Sequence, residues 1–414
     1  MPTIAYIANQ FPSPVEPYVI DEVCELRRRG INVITVSAQH IDTRQLNDGL
    51  RDFCSSSIVL DRPPVLLLIS ALWLCIRKLR LISDVCWRIL TGRETFRRKI
   101  GAVAHTCLGA CLALQLSGYD VEHIHTHHGY FASWVAMVAA RLLNISFSMT
   151  LHGSDLLLHG AYLDLKLASC STCYTISEYN LRFIRAHYPR AHRGKVVLQR
   201  MGVDSVSPSA ALAVINPAQF TFVAVGRLHP VKNFEFLIEC CRALRAENFE
   251  FCCRIAGEGP ERSKLERLCR QSGLENHVLF LGHVAQQDLA GVYADSDIVL
   301  CTSRSEGIPL SLMEAMVRSK VVLAPRITGI PELVIQGQTG FLYTPGSTQD
   351  FLTKLHFICD SWQQLGDVRC AARAHVLAHF NRETNLDRFC TLLLSNLMTT
   401  EGRISHANPV LQQI

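Results

Sequence analysis

Long apolar runs are absent from this sequence of 414 residues. The nearest candidate, Val65 to Ile76, has about a dozen residues and ends at Arg77, whereas a membrane-spanning helix needs roughly 20. The amino terminus has no basic region, no apolar region and no small-residue cleavage site, so we predict no secretory signal. These absences argue against a membrane-spanning or exported protein and favour a cytoplasmic one.

Charge is also scarce, with charged residues at 19% and a net charge of only +5. A dedicated nucleic-acid binder is usually more basic and more clustered, so we expect no nucleic-acid partner. Hydrophobic residues make up 49% of the chain, which favours a packed globular protein over a disordered one. The length exceeds what one ordinary core fills and indicates two or three domains.

Several catalytic signatures are missing. The sequence contains neither a G-x-x-x-x-G-K-[ST] phosphate loop nor a G-x-S-x-G nucleophile turn, so NTP hydrolysis and serine hydrolysis have no support. Seventeen cysteines are present, but the C-x-x-C pair of Cys170 and Cys173 lacks the second pair that a zinc site needs. We interpret the cysteines as reduced thiols of the core.

Four histidines cluster in one short segment, at His123, His125, His127 and His128. On a strand, the first three share one face, as a metal site requires. No carboxylate or cysteine lies at a suitable spacing nearby, so we predict no bound metal.

Short strand patterns alternate with helical patterns on both sides of a linker-like stretch, Ser205–Gln219. Thr3–Ala8 predicts a strand, Gly30 ends the helix that follows, and Ile31–Ser37 predicts the next strand, which together form a parallel βαβ unit. A second series of the same kind runs from Phe220 to Ala324. The fold class is therefore α/β, with two doubly wound Rossmann-like domains facing across a cleft that holds the ligand.

The domain limits follow from this alternation. We predict a first Rossmann-like domain over residues 1–205 and a second over residues 218–375. The remaining segment, 376–414, has a helical pattern and is predicted as a C-terminal helix; the sequence leaves open whether it returns to the first domain.

The most informative segment, Ser303–Met316, follows a predicted strand and opens a helix. Gly307 permits a tight turn and Pro309 suits the first helical turn. The free N–H groups of the helix then face the ligand, as a diphosphate site requires. Glu306 and Glu314 supply carboxylates that accept hydrogen bonds from sugar hydroxyls. Either one alone is as easily a surface charge, but together they favour a ligand site.

This segment resembles the E-x(7)-E signature of glycosyltransferase family 4, a family of retaining enzymes with the GT-B fold. The resemblance implies that Glu306 contacts the transferred sugar and Glu314 the ribose of a nucleotide sugar. Gly307, Ile308 and Leu310 are implied donor contacts in the same loop and helix. The first domain is then the acceptor side and the second the donor domain.

Two more parts of the second domain resemble this family. Val225–Asn233 is similar to its diphosphate-binding loop, where Arg227 and Lys232 would neutralise the leaving nucleotide diphosphate. The other implied donor contacts are Gly257 and Gly259 in a strand-end turn, and His283 and Val284 in the loop that meets the nucleobase.

Two segments of the first domain also resemble relatives. Thr150–Asp155 is similar to the H-G or H-D element of the family, which implies that His152 lies near the reactive sugar. Phe11–Glu16 is similar to the F-P-x-x-S-E-T-F opening of exopolysaccharide transferases of the colanic acid type, which implies an acceptor-side role for Glu16. Val15 and Pro17 replace the serine and threonine of that opening.

Residues 62–98 are rich in leucine, isoleucine and tryptophan, interleaved with cations. The cations are Arg77, Lys78, Arg80, Arg88, Arg93, Arg97 and Arg98. Such a segment can lie on an anionic bilayer or pack on the sheet with a solvated basic face. Both interpretations stay open, with membrane contact favoured because a lipid-linked acceptor would be reached there.

These features predict a retaining glycosyltransferase that moves a hexose from a nucleotide diphosphate sugar to a cell-envelope polysaccharide or lipid-linked acceptor. Its catalytic residues would be His152, Glu306, Arg227 and Lys232, and it would need no metal or other cofactor. It would be cytoplasmic, with a peripheral location on the membrane's inner face left open. The alternatives are a non-catalytic nucleotide-sugar-binding partner of another transferase, or a GT-B epimerase or hydrolase of nucleotide sugars.

Overall fold

The computed structural model describes residues 2–13, 16–41, 48–158, 160–192, 194–206 and 219–406. It forms two units. The first unit consists of Met1–Ile176, Asn180–Gln199 and Leu386–Ile414, and the second of Ser177–Tyr179 and Arg200–Asn385. Most of the predicted linker, and Pro14 and Val15 of the Phe11–Glu16 segment, lie outside the described residues.

The first unit contains a seven-stranded parallel sheet flanked by helices. Its strands are β1 (Thr3–Ala8), β2 (Asn32–Ser37), β3 (Ile58–Val59), β4 (Val121–His127), β5 (Ser146–Leu151), β6 (Thr172–Thr175) and β7 (Val196–Leu198). Its helices before the second unit are α1 (Pro17–Arg28), α2 (Asp48–Ser56), α3 (Val65–Arg77), α4 (Leu79–Thr91), α5 (Phe96–Leu116), α6 (Phe131–Leu143), α7 (Ser154–Leu157), α8 (Leu163–Ser169), α9 (Glu178–His187) and α10 (Pro189–His192).

The strand order of this sheet is β3-β2-β1-β4-β5-β6-β7. All pairs are parallel, and all six residues of β1 are buried, as expected for a strand covered by helices on both faces. The chain direction along the sheet reverses between β1 and β4. Ligands of such sheets bind beside this switch point, at the carboxyl ends of the strands.

The second unit repeats the design with six parallel strands in the order β10-β9-β8-β11-β12-β13. The strands are β8 (Phe220–Val225), β9 (Phe251–Ala256), β10 (Val278–Gly282), β11 (Ile298–Leu300), β12 (Val321–Pro325) and β13 (Phe341–Tyr343). The helices are α11 (Phe234–Ala246), α12 (Arg262–Gln271), α13 (Leu289–Ala294), α14 (Leu310–Val317), α15 (Ile330–Leu333), α16 (Thr348–Asp360) and α17 (Gly366–His379). Here the switch point lies between β8 and β11.

The final helix, α18 (Arg382–His406), carries the chain back to the first unit from Leu386 onward. Phe389, Cys390 and Leu393 of α18 are buried in one cluster with Tyr6 of β1. The expected limits of 205, 218 and 375 therefore differ from those of the structure. The second unit runs from Arg200 to Asn385 because α17 packs against α14. The predicted C-terminal segment therefore contains the end of α17 and helix α18 rather than a single helix.

Helix α5 contradicts the expectation that the sequence has no apolar run long enough to cross a membrane. By length and composition alone α5 could do so, because the cations at its first turn are followed by an apolar stretch. Of that stretch, 44% is buried inside the protein. Core helices of globular domains pass the same test, and Gly109 brings α5 close to Val138 of α6.

Candidate active site

The loops that flank the switch point of the second unit meet through an ion pair. Lys232 follows β8 and Glu306 follows β11, and Lys232 Nζ lies 2.6 Å from Glu306 Oε1. Ser303 Oγ donates to the same carboxylate oxygen at 2.6 Å. Burial opposes the charged form of Lys232, but the charge of Glu306 outweighs it and raises the lysine pKa. A cation and a carboxylate are thus fixed together where a parallel sheet binds its ligands.

Backbone contacts hold these two loops in place. Pro230–Lys232 forms a single 3₁₀ turn, which ends at Asn233 in the left-handed region with φ of 55°. The Arg304 amide donates to Val231 O at 2.7 Å, and Thr302 Oγ1 donates to Lys232 O at 3.0 Å. The loops after β8 and β11 are therefore joined by hydrogen bonds.

The loop after β12 supports Glu306 from the opposite side. Thr328 Oγ1 donates to Glu306 O at 2.6 Å and accepts from the Glu306 amide at 3.3 Å. A Cβ atom at Gly329 would overlap the carbonyl group of Gly307. Only glycine allows these two loops to approach so closely.

Glu314 lies on the buried side of α14, with 8% of the residue exposed. Its Oε2 accepts from the Tyr293 hydroxyl at 2.9 Å, and its Oε1 accepts from Gln286 Nε2 at 2.5 Å. Burial and the Glu314 charge raise the pKa of Tyr293 well above its usual value. Tyr293 and Gln286 are site residues that the sequence interpretation missed, because neither lies in a recognisable motif.

The remaining predicted donor residues lie around the same carboxyl edge. Gly307, Ile308 and Leu310 form the link from β11 into α14. Gly257 and Gly259 follow β9 with φ of 149° and 159°, and a Cβ atom at either would overlap the loop after β8. His283 and Val284 follow β10, and Arg227 is exposed directly after β8. Four adjacent strands, β10, β9, β8 and β11, thus bring every predicted donor residue to one edge.

A cavity of about 800 Å³ lies beside this site rather than in it. Asn233, Ser303 and Arg304 line it, together with residues of α11 and the loop after β13. Its lining includes none of the predicted donor residues. The candidate donor site is therefore the ion pair and its loops rather than this cavity.

The first unit has its own polar cluster at the switch point between β1 and β4. His152, predicted as catalytic, follows β5 and places its ring 4.8 Å from Tyr18 and 4.4 Å from His128. Its Nε2 lies 2.9 Å from His127 Nδ1. Burial, the positive charge of His128 and the neighbouring His127 ring lower the pKa of His152 well below its usual value.

Asp155 anchors this cluster and is fully buried. Its carboxylate accepts from the amides of Gly129 at 2.8 Å, Gly153 at 2.7 Å and His152 at 3.1 Å. Its Oδ2 also lies 3.7 Å from His128 Nδ1. Burial raises the pKa of Asp155, but hydrogen bonding and the positive charge of His128 outweigh burial and hold it well below its usual value.

Glu16, predicted on the acceptor side, pairs with His128. His128 Nε2 lies 2.8 Å from Glu16 Oε1, and His128 itself has a left-handed φ of 67°. Burial lowers the pKa of His128, but Asp155 and Glu16 together raise it to about 10. His128 is thus a cation between two carboxylates. The other oxygen, Glu16 Oε2, is buried without a hydrogen-bond partner within the described part of the chain.

The histidine cluster of β4 mainly forms internal hydrogen bonds. His123 lies 2.7 Å from the hydroxyls of Ser146 and Ser148, and burial lowers its pKa to about 3. Glu22, His125 and His127 bring potential ligand atoms within 4.8 Å of one another, close enough to share a metal ion. The sequence interpretation found no nearby carboxylate because Glu22 arrives from α1, across the sheet.

That arrangement would need rearrangement to hold an ion. Both ring nitrogens of His125 already have partners, Ser148 Oγ at 2.7 Å and Thr150 Oγ1 at 3.2 Å. The remaining potential ligands, Glu22 and His127, bond to each other at 2.8 Å.

Sequence comparison shows which known proteins parts of this chain resemble. Residues 213–375 match the family described as Glycosyl transferases group 1. Over 206 residues the chain is 31% identical to a protein of Salmonella typhimurium named putative colanic acid biosynthesis glycosyltransferase WcaL, covering 48% of this chain and 51% of that protein. Over 194 residues it is 29% identical to the amylovoran biosynthesis glycosyltransferase AmsK of Erwinia amylovora, covering 45% and 48%. The chain thus spans about half the length of the curated relatives it matches.

Solved structures share the fold over nearly the whole chain. Anabaena HepE in complex with UDP superimposes with a TM-score of 0.69 at 20% identity, covering 95% of this chain and all of that one. Sucrose-phosphate synthase from Thermosynechococcus elongatus gives a TM-score of 0.75 at 17% identity, covering 96% and 100%. These likenesses confirm the predicted GT-B fold class of two Rossmann-like domains. Residues 213–375 are thus similar to the Glycosyl transferases group 1 family, in a chain with the GT-B fold.

Proposed function

We propose that the chain is a retaining glycosyltransferase that moves a hexose from a nucleotide diphosphate sugar to a cell-envelope polysaccharide or lipid-linked acceptor. The observation that carries this proposal is the Lys232–Glu306 pair, 2.6 Å apart at the switch point of a glycosyltransferase group 1 domain. The relatives named for colanic acid and amylovoran biosynthesis support the acceptor class. The likeness to HepE, solved with UDP and with UDP-glucose, supports the donor class.

The donor chemistry follows from the charges around this pair. Cleavage of the glycosidic bond leaves negative charge on the β-phosphate, and fixed cations lower that barrier. Lys232 is held in place by Glu306, and Arg227 lies exposed in the same loop after β8. In our proposal the two cations bind the diphosphate and Glu306 binds the hexose, so opposite charges flank the bond that breaks.

The nucleoside would be held by Glu314 and the loops after β9 and β10. A carboxylate can accept hydrogen bonds from both ribose hydroxyls. Glu314 has its oxygens positioned by Gln286 and Tyr293. Gly257 and Gly259 would let the backbone approach the phosphates, and His283 and Val284 would meet the base.

Retention follows if the acceptor hydroxyl attacks from the face that the diphosphate leaves. The departing phosphate then takes the acceptor proton, so no dedicated general base is needed. His152 would contact the reacting sugar, and the unpartnered Oε2 of Glu16 would accept from the incoming hydroxyl. The fixed cations would supply the charge neutralisation for which other transferases use a metal, so we propose no cofactor.

Nucleotide binding gives the direct test of this donor site. The thermal transition of the full chain would be measured with UDP, GDP, ADP and dTDP. We expect one of them to stabilise the protein by about 2.7 kcal/mol at 100 times its Kd, with no metal added. The same nucleotide should have little effect on Glu314→Ala and Lys232→Ala, whose binding groups are removed.

The other outcomes separate the alternatives. If none of the four nucleotides shifts the transition, the donor site as described is wrong. Nucleotide binding without sugar transfer to any acceptor would favour a non-catalytic binding subunit. Breakdown of the nucleotide sugar without an acceptor would favour an epimerase or hydrolase.

We also propose a role for the outer surface of α3, α4 and α5 in the first unit. Most of the large apolar side chains that are exposed among the described residues lie between residues 65 and 103. Examples are Leu66 at 79% exposed, Phe96 at 78%, Leu90 at 73%, Trp87 at 68% and Trp73 at 60%. Of α3 only Ala71 is fully buried. We name this group of side chains the apolar–basic surface.

Exposed cations lie among these apolar side chains. Arg77, Arg80, Arg93, Arg97 and Arg98 are all exposed, whereas the neighbouring acids Asp84 and Glu94 already pair with Arg141 and Arg88. A cationic surface with tryptophan and leucine is the chemistry that binds an anionic bilayer. We propose that this surface contacts the inner face of the cytoplasmic membrane, where a lipid-linked acceptor is found.

Vesicle sedimentation tests this surface. The full chain should sediment with vesicles of phosphatidylglycerol and phosphatidylcholine, and less with phosphatidylcholine alone. The double variant Arg97→Gln, Arg98→Gln should weaken binding about 30-fold, since each surface cation contributes about 1 kcal/mol. The control Phe357→Ser removes an exposed apolar residue of the second unit and should bind like the native chain. Self-association of the native chain without vesicle binding would instead assign the surface to a second copy.

A further inference from the structure

A chain of hydrogen bonds runs from His152 into the interior of the first unit. His152 Nε2 lies 2.9 Å from His127 Nδ1, and His127 Nε2 lies 2.8 Å from Glu22 Oε2. The Tyr6 hydroxyl donates to the same oxygen of Glu22. His127, Glu22 and Tyr6 are buried, whereas His152 is partly exposed. The chain therefore has one end at the candidate site and the other in the core.

The donors and acceptors of this chain can be assigned from Glu22. A carboxylate can only accept, so His127 Nε2 must carry a proton and donate it to Glu22. Tyr6 agrees with this assignment: its hydroxyl lies 2.8 Å from His127 Nε2 and donates its own hydrogen to Glu22. It can only accept from His127.

The proton positions on the rings of His127 and His152 follow from this assignment. We take His127 as the neutral imidazole with its proton on Nε2, which leaves a lone pair on Nδ1. His127 Nδ1 therefore accepts, and His152 Nε2 donates. The remaining nitrogen, His152 Nδ1, then has no proton, and no group in the described part of the chain donates to it.

We propose that Glu22, acting through His127, is a positioning residue that holds His152 as the tautomer with a free acceptor nitrogen, Nδ1, for a hydroxyl group of the bound sugar. This role rests on the proposed transferase function of the site, but the tautomer itself does not. The carboxylate–histidine arrangement that orients a working imidazole is a general one, in which the outer partner determines which nitrogen acts.

The surroundings keep His152 neutral, which the acceptor role requires. His128, on one side of the ring, is a cation held between Glu16 and Asp155, and a second positive charge next to it is unfavourable. Tyr18 packs on the ring at 4.8 Å. Asp155 accepts from the His152 backbone amide rather than from the ring.

Nitrogen NMR of the full chain labelled with ¹⁵N-histidine tests the proposal without any substrate. Long-range ¹H–¹⁵N spectra distinguish a protonated from an unprotonated ring nitrogen, and a His152→Asn spectrum assigns the His152 signals. We expect a single neutral tautomer with the proton on Nε2. A proton on Nδ1, or an average of the two tautomers, in the native chain would overturn the proposal.

Glu22→Gln then tests the origin of the tautomer. An amide can turn its NH₂ group toward His127, so the single His152 tautomer should be lost, and kcat should fall about 10-fold to 100-fold. Nucleotide stabilisation in the second unit should be unchanged. The control Glu25→Gln, on the same helix and paired instead with Arg28 and Arg29, should keep the native spectrum and kcat. A Glu22→Gln spectrum identical to the native one would overturn the proposal, whereas absent nucleotide binding with the expected tautomer would count against the transferase function alone.

Discussion

Glu306→Gln is expected to lower kcat by a factor of roughly 10²–10³, the usual cost of removing one group that stabilises a transition state. The substitution keeps the size of the side chain, and the amide oxygen can still accept from Ser303. It removes the negative charge that lies 2.6 Å from Lys232 and that we assign to the transferred sugar. Transfer from the nucleotide sugar, measured as product formation, gives the result.

A comparison with Glu314 makes this prediction specific. Since Glu306 is assigned to the sugar and Glu314 to the ribose, Glu306→Gln should retain nucleotide stabilisation while Glu314→Gln should weaken it. Glu247→Gln is the control, because Glu247 lies at the end of α11 far from the loop after β8 and pairs with His356 of α16. Activity of Glu306→Gln within about twofold of native would remove Glu306 from the mechanism; roughly 10-fold or more is the least that such a role implies.

Asp155→Asn is expected to lower the free energy of unfolding by about 3 kcal/mol or more, the cost of removing one partner of a buried ion pair. The carboxylate is fully buried, accepts from three backbone amides and faces the His128 cation. An asparagine presents its NH₂ group to donors and leaves the cation with Glu16 alone. Urea denaturation of the native and variant chains measures the difference.

The pH dependence of this difference has a defined sign. The folded pKa of Asp155 is depressed, so its stabilisation is present above the unfolded value of about 3.9 and is lost as the pH falls through the folded pKa. The folded pKa of His128 is raised to about 10, so its stabilisation is full below about 6.5 and is lost as the pH rises toward 10. The free energy of unfolding of the native chain should therefore exceed that of Asp155→Asn by the largest amount between about pH 4 and pH 6.5.

The control for this prediction is Asp164→Asn. Asp164 has a side chain that is 48% exposed and pairs with Arg88, and such exposed pairs contribute about 1 kcal/mol or less. A loss in Asp155→Asn no larger than that of Asp164→Asn, or a difference that does not change with pH, would contradict the assigned charges of the cluster.

Much of the sheet structure followed from local patterns. The predicted strand Thr3–Ala8 has the observed limits, and the predicted strand Ile31–Ser37 begins one residue before β2 (Asn32–Ser37). Each is a short apolar or β-branched run bounded by turn residues, and buried parallel strands carry that signal within their own sequence. Strands β6 and β13 were not predicted, because they have four and three residues and rely on their neighbours for pairing.

The proposed donor site could be predicted for a similar reason. Most of its residues sit in loops directly after strands, so each could be recognised from its own strand–loop–helix segment. The parallel sheet then brings the ends of β8, β9, β10 and β11 to one edge. The partners of Glu314 were not predictable, because Gln286 and Tyr293 contact it from other elements.

The sequence by itself determined the α/β class, the two Rossmann-like halves and the loops that we propose for the donor, since all of these depend on residues that are close along the chain. Only the tertiary structure decided the role of the histidines. Glu22 and His127 are 105 residues apart in the sequence, and they meet because β1 and β4 are neighbours in the sheet although the chain makes a long crossover between them. The position of a buried charge or proton is determined by the groups that the fold places around it, and sequence spacing does not reveal those groups.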